Sequence, residues 1–133
     1  MQPHCILIVE DDRPIRDTMR LILEMNGYFV YTAKDGREAL NILKSVRPSL
    51  VILDLMMPVM NGWQFLDELK LLEGSATIPV IIVSAAGNAV AAAQTLGKEL
   101  LQKPINLDTF LRIVKRYCDF EQVQQESDVR KHG

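Results

Sequence analysis

At 133 residues, with 48% hydrophobic and 24% charged content, the chain has the size and composition of one globular domain and is too short for two ordinary ones. A formal net charge of -2 gives no general attraction to nucleic acid or anionic lipid, so neither is expected as a partner. The two cysteines, Cys5 and Cys118, have neither metal-ligand spacing nor the density of a disulfide framework, and they read as free thiols of a reducing compartment.

The elements alternate along the chain. The apolar run CILIV (5–9) reads as a strand and ends in three acids, Glu10, Asp11 and Asp12. Helical spacing follows over 14–26 through Ile15, Met19, Ile22 and Leu23, closed by Asn26-Gly27. A second strand, YFVYTA (28–33), leads to a helix over 37–46 built on Ala39, Leu40, Leu43 and Val46. The third strand, LVILD (50–54), runs four apolar residues into Asp54 and then into MMPVMNG, which cannot continue a strand. A helix over 63–72, a strand VIIVS (80–84) ending in Ser84, a helix over 88–96, a weaker strand ELLQK (99–103) ending in Lys103-Pro104, and a helix over 107–119 complete the order. Residues 120–133 lose the periodicity, so the domain is expected over 1–119 with a flexible polar tail after it.

No apolar run approaches the roughly 18 residues of a membrane span, and MQPHCILIVEDD lacks the basic start and cleavage site of a signal peptide, so a cytoplasmic location is expected. Alternating strands and helices imply an α/β, doubly wound, five-stranded parallel sheet with helices on both faces. Ligands of such a sheet bind beyond the carboxyl ends of its strands. If the strand order is 2-1-3-4-5, the four strands that end in Glu10-Asp11-Asp12, Asp54, Ser84 and Lys103 are contiguous, and the bare second strand is an edge.

Carboxylates gathered at neighbouring strand ends repel unless a cation neutralises them. All-oxygen ligands in a small set favour a hard ion that keeps its waters, Mg²⁺ rather than Ca²⁺. With Lys103 as a fixed charge and Ser84 as a hydroxyl, such a site suits a phosphoryl group, and Asp54 is placed to be the nucleophile that accepts it. Taken singly, several of these residues have plainer roles: Asp12, followed by Pro14, is a natural helix N-cap; Ser84 can cap a helix; Lys103 can be a surface lysine; the Met56, Met57 and Met60 group reads as packing. Their joint placement on four strand ends is what favours the site.

The segments ILIVEDD, AKDGREAL, DLMMPVMNG, VIIVSA and LLQKPI together resemble the receiver domain of two-component response regulators, over residues 4 to about 119. The resemblance implies a flavodoxin-like, CheY-like three-layer sandwich with strand order 2-1-3-4-5. It further implies that Asp54 accepts phosphate from the phosphohistidine of a histidine kinase or a histidine phosphotransfer protein. Mg²⁺ would be held by Asp11, Asp54 and the backbone carbonyl of Met56, with Glu10 acting through water; Ser84 and Lys103 would contact the phosphoryl oxygens, and Lys103-Pro104 would be cis. On this reading the chain is a single-domain regulatory phosphoacceptor rather than an enzyme, monomeric or weakly dimeric, signalling by binding a partner or passing phosphate along a relay.

Two departures bear on output. Leu100 stands where such domains usually carry an aromatic ring, and the interval from Ser84 to Lys103 is about one helical turn short. The alternatives are a phosphate-independent docking module built on the same fold and an aspartate-nucleophile phosphatase of the haloacid dehalogenase type. EDDRP after the first strand lacks the D-x-D pattern that the phosphatase needs, and no dinucleotide or P-loop glycine pattern is present.

Overall fold

Strand β1 (Cys5–Val9) lies second from the edge of a five-stranded parallel sheet whose other members are β2 (Phe29–Ala33), β3 (Leu50–Asp54), β4 (Val80–Ser84) and β5 (Glu99–Gln102). This computed structural model describes residues 5–85, 94 and 98–118, and the order across the sheet is β2-β1-β3-β4-β5. The helix expected over 88–96 (apart from Gln94) and the tail at 120–133 lie outside the described residues. In register, Ile6 stands beside Leu50, Asp54 beside Val83, and Ser84 beside Gln102. The central strands β3 and β4 are buried at every position, as a sheet covered on both faces requires.

Helices α1 (Arg13–Met25), α2 (Gly36–Leu43) and α3 (Gly62–Leu71) are joined by α4, which spans 107–118. Each begins on a polar side chain that accepts from the first turn: Asp12 from Ile15 N, Asp35 from Glu38 N, Asn61 from Gln64 N, and Asn106 from Thr109 N. Asn61 and Gln64 cap each other reciprocally. The first helix closes on Asn26 with Gly27 at φ +88°, a turn only glycine makes without strain.

Helix α2 ends earlier than the periodicity over 37–46 suggests. Arg47 Nη2 donates to Glu73 O at 3.0 Å and its Nη1 reaches back to the carbonyl of Leu43, so a side chain takes over where the helix would have continued.

Side-chain alternation divides the core into two layers. Leu7, Val9, Val51, Leu53, Val80 and Ile82 face α2 and α3, packing with Ala39, Leu43, Phe65 and Leu69. Ile6, Ile8, Leu50, Ile52, Ile81, Val83 and Leu101 face α1 and α4, packing with Met19, Leu23, Phe110 and Val114. At about 25 cal/mol per Å² of apolar area buried, these layers are the main stabilising contribution. Among the described residues, no helix is long and apolar enough to cross a membrane.

Candidate functional site

The carboxyl ends of β1, β3, β4 and β5 meet at one rim of the sheet, and the expected residues arrive there by strand geometry. Glu10 follows Ile8 by two positions, Asp54 follows Ile52, and Lys103 follows Leu101, so all three continue the α1-facing side of the sheet. One oxygen each from Glu10, Asp11 and Asp54 lies within 4.8 Å of the others. Glu10 is 1% exposed and Asp54 4%, whereas Asp11 is exposed, so the cluster opens to solvent on the Asp11 side.

Lys103 is held over this cluster by its own backbone. Its N–H donates to Ser84 O at 3.0 Å, extending the β4–β5 ladder by one step, and the next peptide bond, Lys103-Pro104, is cis. The ammonium lies 2.5 Å from Glu10 Oε1 and 3.3 Å from Asp54 Oδ2. Apart from this ion pair, neither Glu10 oxygen has a hydrogen-bond partner among the described residues.

Burial first, and then the neighbouring Asp54 carboxyl, push the Glu10 pKa up to about 8 against the opposing pull of Lys103. For Lys103, burial acts downward, but contact with Glu10 and the charges of Asp54 and Glu10 outweigh it and the net direction is up. The net direction for Glu10 is upward because the cost of enclosing its charge outweighs the pull of the ammonium.

The loop after β3 is built around glycine and a tight turn. Met56 N donates to Asp54 Oδ1 at 3.2 Å, orienting the carboxylate. Met60 N donates to Pro58 O at 2.7 Å, closing a three-residue turn that forces Val59 to φ +67° with its side chain in solvent. A Cβ at Gly62 would stand 2.7 Å from Leu55 Cα and 2.8 Å from Asp54 O, so the start of α3 presses directly on the backbone of Asp54. At Gly36 a Cβ would meet the Met60 side chain at 2.8 Å, and Gly36 N donates to Met60 O at 3.3 Å, docking the AKDG turn onto this loop.

Of the expected site residues, Glu10, Asp11, Asp54 and Lys103 are gathered within reach of one another. Ser84 is fully buried at the neighbouring strand end, and by alternation it belongs with Ile82 to the α3-facing side. Asp12 serves as the N-cap of α1, as its plainer reading suggests. The expectation that the three methionines are packing holds for Met57 and Met60 and fails for Met56, which is 57% exposed because the turn after Asp54 carries it outward. One participant was not foreseen: Arg16, whose guanidinium lies on the carbonyls of the acidic turn. Its signal in the sequence is a basic residue one turn into the helix that follows EDD.

A family model described as the response regulator receiver domain matches residues 6–115. Response regulator MprA of Mycolicibacterium vanbaalenii is 37% identical over 112 residues, 82% of this chain and 48% of its own length, so the chain spans about half of that relative. A 14.6 kDa protein of Leptolyngbya boryana is 33% identical over 116 residues, covering 85% of this chain and 88% of its own. Among solved structures, the chemotaxis protein CheY4 of Vibrio cholerae superposes with a TM-score of 0.79 at 29% identity, covering 87% of this chain and 99% of that one. TrrA of Thermotoga maritima, determined in complex with Mg²⁺ and BeF, superposes with a TM-score of 0.75 at 29% identity over 86% of this chain and 98% of that one. With its sheet order, its acidic rim and these relatives in agreement, the chain belongs to the response regulator receiver domain family.

Proposed function

We propose that the domain, residues 1–119, is a signalling switch whose Asp54 accepts a phosphoryl group from the phosphohistidine of a histidine kinase or histidine phosphotransfer protein. The observation that carries this reading is a nearly buried Asp54 carboxylate between an ammonium at 3.3 Å and two further acids at the open end of a parallel sheet. An Asp54 oxygen attacks phosphorus, the P–N bond breaks, and the imidazole leaves, giving an acyl phosphate. Lys103 would offset charge on the phosphoryl oxygens, with Ser84 as the hydroxyl from the adjoining strand, while Met56 N–H holds one Asp54 oxygen and the Lys103 ammonium holds the other.

The donor set fits a hard divalent cation. Three carboxylates offer oxygens within 4.8 Å of one another, and beyond the Lys103 ion pair the oxygens of the enclosed Glu10 lack hydrogen-bond partners among the described residues. Asp11, Asp54 and the Met56 carbonyl would hold Mg²⁺, with Glu10 acting through water. When bound, the ion supplies charge neutralisation for the transferring phosphoryl group.

Beside Lys103, a hollow of about 300 Å³ is lined by Pro14, Ile15, Met19, Pro104 and Ile105, an apolar seat for a phosphodonor protein next to the reacting carboxylate. On this reading the domain is a regulatory phosphoacceptor acting in the cytoplasm through a protein partner or a relay, rather than a turnover enzyme. The intact acid and lysine set counts against a phosphate-independent docking module. Intact-mass measurement after acetyl phosphate and Mg²⁺ tests the reading: one added phosphoryl group is expected, absent in Asp54→Ala and without Mg²⁺. Undiminished labelling of Asp54→Ala would overturn the assignment.

A further inference from the structure

We propose that Arg16 is a positioning residue for the acidic turn, its guanidinium fixing the backbone of Glu10 and Asp11 and so the directions in which their carboxylates face the metal site. The proposal rests on the reading of that site given above.

Arg16 Nη1 donates to Glu10 O at 2.9 Å and approaches Asp11 O at 3.4 Å. The position follows from helix geometry. Side chains tilt toward a helix N-terminus, so an arginine one turn inside α1 folds back over the loop that precedes it. The other arginines of the first turns go elsewhere: Arg13 and Arg20 pair with Asp17 at 3.5 and 3.8 Å on the open surface of the helix.

The turn needs such a donor. Glu10 N is the last amide of this strand held by a neighbouring strand, donating to Ala33 O, and the sheet ladder stops there. Asp12 is pinned from the other end, its side chain accepting from Ile15 N and its carbonyl from Arg16 N. Between these anchors lie the carbonyls of Glu10 and Asp11, whose peptide planes set where the two carboxylates point. Arg16 ties both planes to α1.

A guanidinium this close to a cation site also repels the cation, which makes the sign of the effect decisive. If Arg16 acted only through its charge, removing it would tighten Mg²⁺ binding. If it positions the ligands, removal loosens binding, as loss of groups that orient metal ligands does elsewhere.

Calorimetric titration of the full chain with MgCl₂ separates the two. Arg16→Ala is expected to weaken Mg²⁺ binding roughly tenfold, and Arg16→Lys, which keeps the charge but not the planar fork, to recover less than about half of that loss on a logarithmic scale. Arg13→Ala, on the same helix but turned to solvent, is expected to leave it unchanged. In metal-free protein, amide exchange over 10–12 should accelerate in Arg16→Ala while the rest of β1 keeps its protection. Unchanged or tighter Mg²⁺ binding in Arg16→Ala overturns the proposal. Should Asp11→Asn bind Mg²⁺ as wild type does, the metal reading itself fails; the exchange measurement, which needs no metal, then decides alone whether Arg16 holds the turn, and unchanged exchange refutes it.

Discussion

Replacing Glu10 by glutamine keeps the shape of a fully enclosed side chain and removes its charge, so it isolates what that carboxylate costs the metal-free fold. The Glu10 pKa stands near 8 in the folded protein against an ordinary 4.5. Between those values the folded chain keeps a proton that the unfolded chain has released, so metal-free stability falls as pH rises from 4.5 to 8 and the deficit is constant above. At 1.36 kcal/mol per pKa unit the full shift is worth roughly 5 kcal/mol, and taking half of it, because Lys103 and Asp54 share the titration, leaves about 2 kcal/mol. Glu10→Gln has no such proton to lose. In EDTA it is expected to match wild type near pH 4.5 and to melt about 5–8 °C higher at pH 8. Mg²⁺ at pH 8 should then raise the wild-type Tm and raise the variant's much less, because binding to the native state alone stabilises it. Scanning calorimetry at pH 5 and pH 8 and at fixed ionic strength checks this. A Tm difference between variant and wild type that is the same at both pH values would refute the reasoning.

Four further outcomes follow from the loop after β3. Gly62→Ala places a methyl 2.7 Å from the Leu55 backbone, and should cost about 2–4 kcal/mol in urea unfolding while slowing phosphorylation of Asp54. Val59, held at φ +67° and exposed, gains little from its side chain, so Val59→Gly should be neutral or stabilising by up to about 1 kcal/mol in the same assay. Trp63 directly follows the glycine that presses on Asp54 O; its fluorescence should respond to Mg²⁺ in wild type and much less in Asp11→Asn, and an equal response would place the metal elsewhere. Met56 offers no polar group to align a hydrolytic water, so phosphorylated protein should decay slowly and Met56→Asn should decay faster; a half-life of seconds that is unchanged in Met56→Asn contradicts this.

Much of the fold was legible because the strands are short, apolar and separated by turn residues. CILIV, LVIL and VIIV can be stable only when covered on both faces, which dictates helices above and below and puts the polar terminal residues at one rim. Asp54 and Lys103 were readable as a pair because each ends an apolar run. What the sequence concealed depends on side chains that reach between elements. Arg13, Arg16 and Arg20 share one helix and one residue type, and only the helical offset of Arg16 from the EDD turn hints that it lies on the acidic turn while the other two lie on the helix surface. Helix α2 stops early because Arg47 reaches the segment before β4, a contact 26 residues away in the chain. Met56 resembles its two methionine neighbours in sequence, yet the turn after Asp54 carries it outward while they pack on the core.

The division of the core by the sheet has a consequence for how sequences of this kind can drift. A substitution at Leu53 is felt by α2 and α3, and one at Ile52 by α1 and α4, so each layer can exchange residues on its own schedule with compensation drawn from its own side. The rim does not share that freedom. Glu10, Asp54 and Lys103 hang from the α1 layer while Ser84 hangs from the α3 layer, so repacking that tilts one layer against the other moves the hydroxyl relative to the acids. Variation is therefore cheap within a layer and correlated across the sheet only through the few residues at its carboxyl edge.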